Sequence, residues 1–200
     1  MKNTVLFVTG PSGSGKSYFA ANMLPAGLFY KLKSATTRPM RAEEKDGREY
    51  YFRDESFFDT TPLVTRLWVN EQVWTPGKPK WMYGVPEWEV YNNPNRNFIY
   101  DVIEPKYARQ MIDWFRMRNM AKNYNFRIAY FLPPENNMAI ANKRANMPDD
   151  NAVRRANTCL PIDFLRAGLD IDYLIKSGPV ETILNPRLMA HIRNLERGTK

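Results

Sequence analysis

Cysteine and histidine are almost missing from this sequence: one of each, Cys159 and His191, in 200 residues. A single thiol excludes an intrachain disulfide and fits a reducing, cytoplasmic setting. So few thiols and imidazoles also exclude a zinc-type cluster of Cys and His ligands. His191 lies off the apolar stripe of its helical segment and is read as a surface residue, not a catalytic base. Long hydrophobic runs are missing too. None approaches the ~20 residues of a membrane-spanning helix, and the run Val5–Val8 is far too short for a signal peptide. Internal repeats and low-complexity tracts are absent.

What is present is the composition of one folded domain. Hydrophobic residues make up 44%, enough to fill a core, and 25% charged residues argue against wholesale disorder. The net charge of +8 calls for a negatively charged partner, either nucleic acid or a site that holds several phosphates. The basic residues do not form one block. Arg38, Arg41, Arg144, Arg154 and Arg155 fall in segments with other marks of a phosphate site, which favours the second reading.

The most informative stretch runs from Thr4 to Ser17. An apolar strand, Thr4–Thr9, leads into Gly10-Pro11-Ser12-Gly13-Ser14-Gly15-Lys16-Ser17, of the form G-x-x-x-x-G-K-S, and then into a helix-compatible segment ending at Pro25 and Gly27. Gly10, Gly13 and Gly15 permit backbone angles closed to other residues and let main-chain N–H groups approach a polyphosphate. Lys16 supplies a positive charge to the β- and γ-phosphates, and the Ser17 hydroxyl is a Mg²⁺ ligand in such loops. The following helix aims its positive dipole end at the same anion. This is a nucleotide phosphate site.

A second polar stretch, from Ser34 to Phe52, turns at Asp46-Gly47 and ends in a strand-like aromatic run. Arg38 and Arg41, three apart on a constrained loop, can grip one phosphate from two sides, and a tyrosine hydroxyl can add a donor. Taken as chemistry alone, these residues suit a solvated basic loop as well as a phosphate clamp. Together with the glycine loop, however, the pattern T-T-R-x-x-R-x-x-E-x-x-G-x-x-Y-x-F resembles the guanylate kinase family. Here it is Thr36, Thr37, Arg38, Arg41, Glu44, Gly47, Tyr50 and Phe52.

The resemblance implies an α/β fold: a P-loop NTPase-type parallel β-sheet flanked by helices, a small mixed α/β NMP-binding subdomain and a short helical lid. The core would comprise residues 1–33, 92–134 and 158–200, the NMP-binding subdomain 34–91 and the lid 135–157. It further implies that Arg38, Arg41, Tyr50 and Tyr83 hold the phosphate of an acceptor nucleoside monophosphate, and that Ser34 and Glu44 shape that site. Val85 stands where the family has a guanine-contacting Ser or Thr. Glu71 is the candidate for the carboxylate that reads guanine's ring N–H and amino group. It serves equally as an exposed strand residue, because Thr75–Lys80 forms an enlarged turn. Trp68, Trp74, Trp81 and Trp88 are read most simply as packing residues of this subdomain, with base stacking by one of them the alternative.

Further along, Asn97–Val102 reads as a buried parallel strand with an acid, Asp101, at its end. Such an acid either orients Mg²⁺ or caps the next helix. The family shows a second acid two residues on, where this chain has Ile103. Residues 105–123 have a helical pattern, residues 126–132 the pattern of a core strand, residues 170–177 that of a final strand, and the segment after Asn185 that of a last helix. Arg144 and Arg155 match the family's lid spacing, whereas a third lid arginine would fall on Ile140.

The implied reaction moves the γ-phosphoryl of ATP to GMP or dGMP with Mg²⁺, with Lys16, Arg38, Arg144 and Arg155 in catalytic roles. The expected partner is thus a nucleoside monophosphate rather than nucleic acid or a membrane, with the chain a monomer or homodimer. Three alternatives stand beside it: a kinase with another base preference, a non-catalytic guanylate-kinase-like binding module, and a basic P-loop protein acting on nucleic acid. The intact loop and the one-domain length weigh against the binding module.

Overall fold

A computed structural model describes residues 2–11, 14–69, 81–102, 104–132, 160–176 and 185–198. Its first strand, β1 (Asn3–Thr9), is buried along almost its whole length, as a strand covered on both faces must be. Alternation then sorts the side chains. Val5 and Phe7 enter one hydrophobic cluster, while Leu6 and Val8 enter another on the opposite face.

β1 is the middle strand of a five-stranded parallel sheet. Its neighbours are β7 (Asn97–Asp101) and β8 (Tyr124–Leu132); β2 (Phe29–Lys31) and β9 (Tyr173–Lys176) form the edges. The order β2-β7-β1-β8-β9 requires crossover connections, and these put helices on both faces. One face is covered by α4 (Pro105–Met117), which contributes Tyr107, Ala108, Met111, Trp114 and Phe115, and by Phe164 of α5 (Pro161–Arg166). The other carries Phe19 from the segment after the glycine loop and Leu188, Ile192 and Leu195 of α6 (Pro186–Gly198). Each fully buried Phe or Leu contributes about 1.5–3 kcal/mol by transfer from water, so these two layers hold the sheet.

A second, mixed sheet has the order β4-β3-β6-β5. Here β3 (Ala35–Thr36) pairs parallel with β4 (Tyr51–Phe52) and antiparallel with β6 (Trp81–Pro86), which in turn pairs with β5 (Leu63–Val69). Phe58 of α2 (Glu55–Thr60) packs on its own small core with Ala35 and Met82. The short helix α3 (Glu87–Tyr91) returns the chain to the parallel sheet.

Three local expectations are corrected. The helix after the glycine loop has a single α turn, α1 (Lys16–Tyr18), and then widens into a π-helical turn over Phe19–Met23. Leu24 is extended (φ −91°, ψ 137°), as a residue before proline prefers, and the helix stops there. α4 ends at Met117, not at residue 123. Asn119 takes the left-handed conformation (φ 56°), so that Met120 N–H reaches the Phe115 carbonyl and Asn119 N–H the Arg116 carbonyl, both at 2.9 Å. That is a Schellman stop, and asparagine is the side chain that tolerates it after glycine. Finally, His191 is half-buried, 3.1 Å from the Thr4 hydroxyl and tilted against Tyr173, rather than on the open surface.

Candidate phosphoryl-transfer site

The glycine loop leaves the carboxyl end of β1, where an open α/β sheet binds ligands. Gly10 has φ +131°, and a Cβ there would lie 2.3 Å from the carbonyl oxygen of Phe131 on β8. Only glycine lets the chain leave the sheet so close to its neighbour. Gly15 is also left-handed (φ 92°) and stands at the helix cap. Ser14 is buried and its N–H donates to the Pro11 carbonyl (3.2 Å). The Lys16 amine donates to the carbonyls of Gly10 (2.9 Å) and Pro11 (3.0 Å). Both acceptors are neutral, so a phosphate oxygen reaching the loop is the stronger partner for that amine. Ser12, Gly13 and the Ser17 side chain lie outside the described residues.

The Thr-Thr-Arg motif is anchored at three points. Thr36 Oγ1 accepts from Arg38 N–H (3.1 Å), Thr37 Oγ1 accepts from Met82 N–H (2.8 Å), and Thr37 N–H donates to the Met82 carbonyl (3.1 Å). Arg38, only 6% exposed, donates through Nη2 to both Glu44 oxygens (2.7 and 2.9 Å) and through Nη1 to the Pro39 carbonyl (2.7 Å). Glu44 also accepts Arg41 N–H at 2.9 Å. Burial disfavours the Glu44 charge, but the Arg38 guanidinium and the Arg41 amide outweigh it and hold the carboxyl below its usual range. Arg38 responds in the same way: burial opposes its charge, yet Glu44 raises its pKa further. Glu44 thus aims Arg38, while the Arg41 side chain stays exposed.

Around this pair stand Tyr50, with the Arg38 guanidinium 5.5 Å from its ring centre, Phe52 at 5.6 Å from the same guanidinium, and Tyr83, 5.9 Å from Tyr50 between ring centres. Ser34 is buried at the start of the same segment, and its carbonyl accepts Tyr51 N–H (3.0 Å). Tyr50 is pushed up to about 12, first by burial, then by Tyr83 and by the negative charge of Asp101, against the pull of Arg38.

Asp101 is where the two clusters meet. It ends β7 directly opposite Val8, two residues before Gly10. Its side chain is exposed to solvent, with protein packed densely around it. Crowding raises its pKa, and Lys16 and Lys31 draw it back down. Helix α4 has Glu104 at its cap position, so Asp101 is three residues short of capping it. Lys31 was not legible as part of this site from the sequence. Its backbone pairs with Ile99, so Lys31, Ile99 and Asp101 share one face of the sheet. The available signal was a cation on the last residue of an edge strand.

Among the described residues no group of three or more His, Cys, Asp or Glu side chains gathers as a metal cage. The exposed Asp101 carboxylate is nonetheless a hard oxygen donor beside the phosphate loop. That suits Mg²⁺, which takes one or two carboxylates and completes its shell with phosphates and water. The loop backbone and Lys16 likewise fit a triphosphate. Glu71, Ile103, Arg144, Arg155 and the whole lid lie outside the described residues. Of the tryptophans, Trp88 packs on Tyr51 and Phe57. Val85 is fully buried, its N–H donating to Thr65 Oγ1 (3.2 Å). Among the described residues no helix is long and apolar enough to cross a membrane.

Known proteins show the same likeness. The chain is 27% identical over 153 residues to a guanylate kinase of Rickettsia bellii, covering 75% of this chain and 72% of that protein. It is 43% identical over 58 residues to a guanylate kinase of Mycoplasma genitalium, covering 28% of this chain and 24% of the relative. The crystal structure of guanylate kinase from Anaplasma phagocytophilum matches with a TM-score of 0.53 at 20% identity, across 99% of this chain and 86% of that one, which is a likeness of fold. No family model matches the chain.

Proposed function

This chain is a relative of the guanylate kinases, and from that relationship we propose that it is a nucleoside monophosphate kinase transferring the γ-phosphoryl of ATP to GMP or dGMP. The observation that carries the reading is the meeting at Asp101. Lys16 of the glycine loop and Tyr50 of the arginine cluster both lie within electrostatic reach of that one carboxylate. In this reading the two anion-binding clusters serve one transfer site, as transfer between two nucleotides requires.

In this mechanism residues 34–91 carry the acceptor. Arg38, aimed by Glu44, acts with Arg41, Tyr50 and Tyr83 to grip its 5′-phosphate; Ser34 helps shape that phosphate site, and Glu71 is the candidate that reads its base. Gly10 to Ser17 cradle the donor phosphates through main-chain N–H groups, and Lys16 exchanges its carbonyl partners for phosphate oxygens. Ser17 and Asp101 are the residues that would hold Mg²⁺, which when bound neutralises phosphate charge. The attacking atom is a phosphate oxygen, anionic at neutral pH, so no general base is needed. The protein's work is alignment and neutralisation, to which Arg144 and Arg155 of the 135–157 lid contribute while excluding water. A reducing cytoplasmic setting, where ATP and monophosphates meet, suits this chemistry.

The test is a panel of NMPs and dNMPs with ATP and Mg²⁺, run with and without DNA. GMP or dGMP should be phosphorylated with the highest kcat/KM. A preference for another base would reassign the acceptor. Nucleic-acid-stimulated ATP hydrolysis without transfer to any monophosphate would overturn the reading. Arg155→Ala and Arg144→Ala should lower kcat far more than they weaken nucleotide binding; near-normal turnover in both removes the lid arginines from the mechanism.

A further inference from the structure

Glu89 is a buried carboxylate, 2% exposed, that the mechanism above does not use. Its Oε1 accepts from the hydroxyls of Tyr51 (2.6 Å) and Tyr30 (3.2 Å), and its Oε2 accepts from Lys33 N–H (2.9 Å). The Lys33 amine does not pair with it but donates to the Gly47 carbonyl (3.0 Å). Burying a charge against hydroxyl and amide donors alone is costly. An apolar side chain would pack Tyr30 and Tyr51 at lower cost, so the carboxylate calls for a reason.

The positions of its partners supply one. Tyr30 lies on β2, an edge of the parallel sheet, and Tyr51 on β4, an edge of the mixed sheet. Lys33 lies on the passage out from the first sheet to the second, and Glu89 itself lies on α3, the passage back. One carboxylate therefore ties both connections and one edge of each sheet. Tyr51 is next to Tyr50, and its ring lies against Trp88 and Glu89 while that of Tyr50 lies against Arg38 and Tyr83. Lys33 is next to Ser34, whose carbonyl holds Tyr51 N–H at 3.0 Å. A shift at Glu89 is thus passed one residue along the chain to Tyr50 and Ser34.

We propose that Glu89 is a positioning residue for the acceptor site: it sets the angle between the two sheets and, through Tyr51 and Lys33, the placement of the neighbouring Tyr50 and Ser34. Resting on the kinase reading, it governs affinity for the acceptor monophosphate and leaves the ATP site untouched. The bond to Tyr51 is the short one and holds within the acceptor half; the bond to Tyr30 is the long one and spans the sheets.

The near-isosteric variants Glu89→Gln and Tyr51→Phe, singly and combined, test this. Each single change should raise the KM for the preferred monophosphate at least about fivefold, with the KM for ATP within about twofold, since hydrogen bonds to a charged group carry that much. The double variant should be no worse than Glu89→Gln, as expected when two changes break one contact. Amide exchange by mass spectrometry gives a readout independent of activity. In Glu89→Gln, amides of residues 34–52 should exchange faster while those of β1, β7 and β8 keep their protection. An unchanged acceptor KM overturns the proposal, as does equal weakening of both substrates or a uniform rise in exchange. If the wild-type chain phosphorylates no monophosphate, the kinase reading fails, and the exchange pattern alone still decides whether Glu89 orders the 34–52 segment.

Discussion

Replacing Glu44 by glutamine removes one charge from the Arg38–Glu44 pair and keeps its shape. In the native protein Nη2 of Arg38 sits 2.7 Å from one carboxylate oxygen and 2.9 Å from the other, and both side chains are nearly enclosed (6% and 13% exposed). A charged hydrogen bond is worth about 1.5–3 kcal/mol, and removing one member of a fully buried pair costs about 3–5 kcal/mol. Arg38 keeps its bond to the Pro39 carbonyl and its contacts with Tyr50 and Phe52, and glutamine still offers one acceptor oxygen. The lower end of these ranges therefore applies, about 2 kcal/mol. Part of it is lost from folding and part from the placement of Arg38. At 1.4 kcal/mol per tenfold, full expression in binding gives a roughly 30-fold rise in the KM for the monophosphate. Steady-state phosphotransfer at saturating ATP measures the acceptor term, and urea denaturation at pH 7 measures the stability term. The pH dependence has a definite sign. The Glu44 carboxyl is held below its ordinary value of 4.5, so its stabilisation is complete above that pH and is lost as pH falls through the depressed folded value. The gap in stability between wild type and Glu44→Gln should narrow on acidification below pH ~4.5. Equal KM and equal stability at pH 7 would refute the argument that Glu44 aims Arg38.

Gly10→Ala is expected to be the most damaging single methyl in the phosphate loop, because its Cβ falls 2.3 Å from a backbone oxygen that cannot turn away. Loss of at least about 3 kcal/mol in urea denaturation, together with ATP binding, should be seen, and wild-type values for both would show that the loop and β8 separate freely. Lys16→Met should reduce kcat by about 10²–10³ while changing stability little, since the amine is bound only to two neutral carbonyls. A large loss of stability would instead make Lys16 a structural strut. His191 has its pKa lowered, mainly by burial and then by Arg127, with Asp172 pulling the other way. The unfolded chain therefore binds that proton more readily, and stability should fall as pH drops from about 6.5 through the folded value. His191→Gln should flatten this part of the stability profile between pH 7.5 and 5, and parallel profiles for the two proteins would dismiss the histidine as its source.

The local part of the site could be read from residues because it follows from local chemistry. A glycine loop between an apolar strand and a helix dictates its backbone and its charge within a few residues, and Gly10, Gly15 and Lys16 stand accordingly. The unbroken apolar run Val5–Val8 likewise suits the strand found there, covered on both faces. Other features have no local cause. The π-helical turn at Phe19–Met23 and the left-handed stop at Asn119 reflect competition between helical hydrogen bonding and the packing of one segment on another.

Local spacing by itself pointed to the glycine loop as a phosphate site, because such a loop depends on neighbours close in sequence, while the second anion site and the parallel α/β core were implied by the family resemblance of the Thr-Thr-Arg stretch. Tertiary structure decided what those parts do to one another. It brought Lys31 and Lys16 within electrostatic reach of Asp101, enclosed Glu44 with Arg38, and joined Tyr30, Lys33, Tyr51 and Glu89 across two sheets. The physical reason is that electrostatic energy depends on distance and burial, and sequence separation sets neither one. Glu89 reads in the chain as one more acid on a short helix, and only the fold makes it a junction between the two sheets.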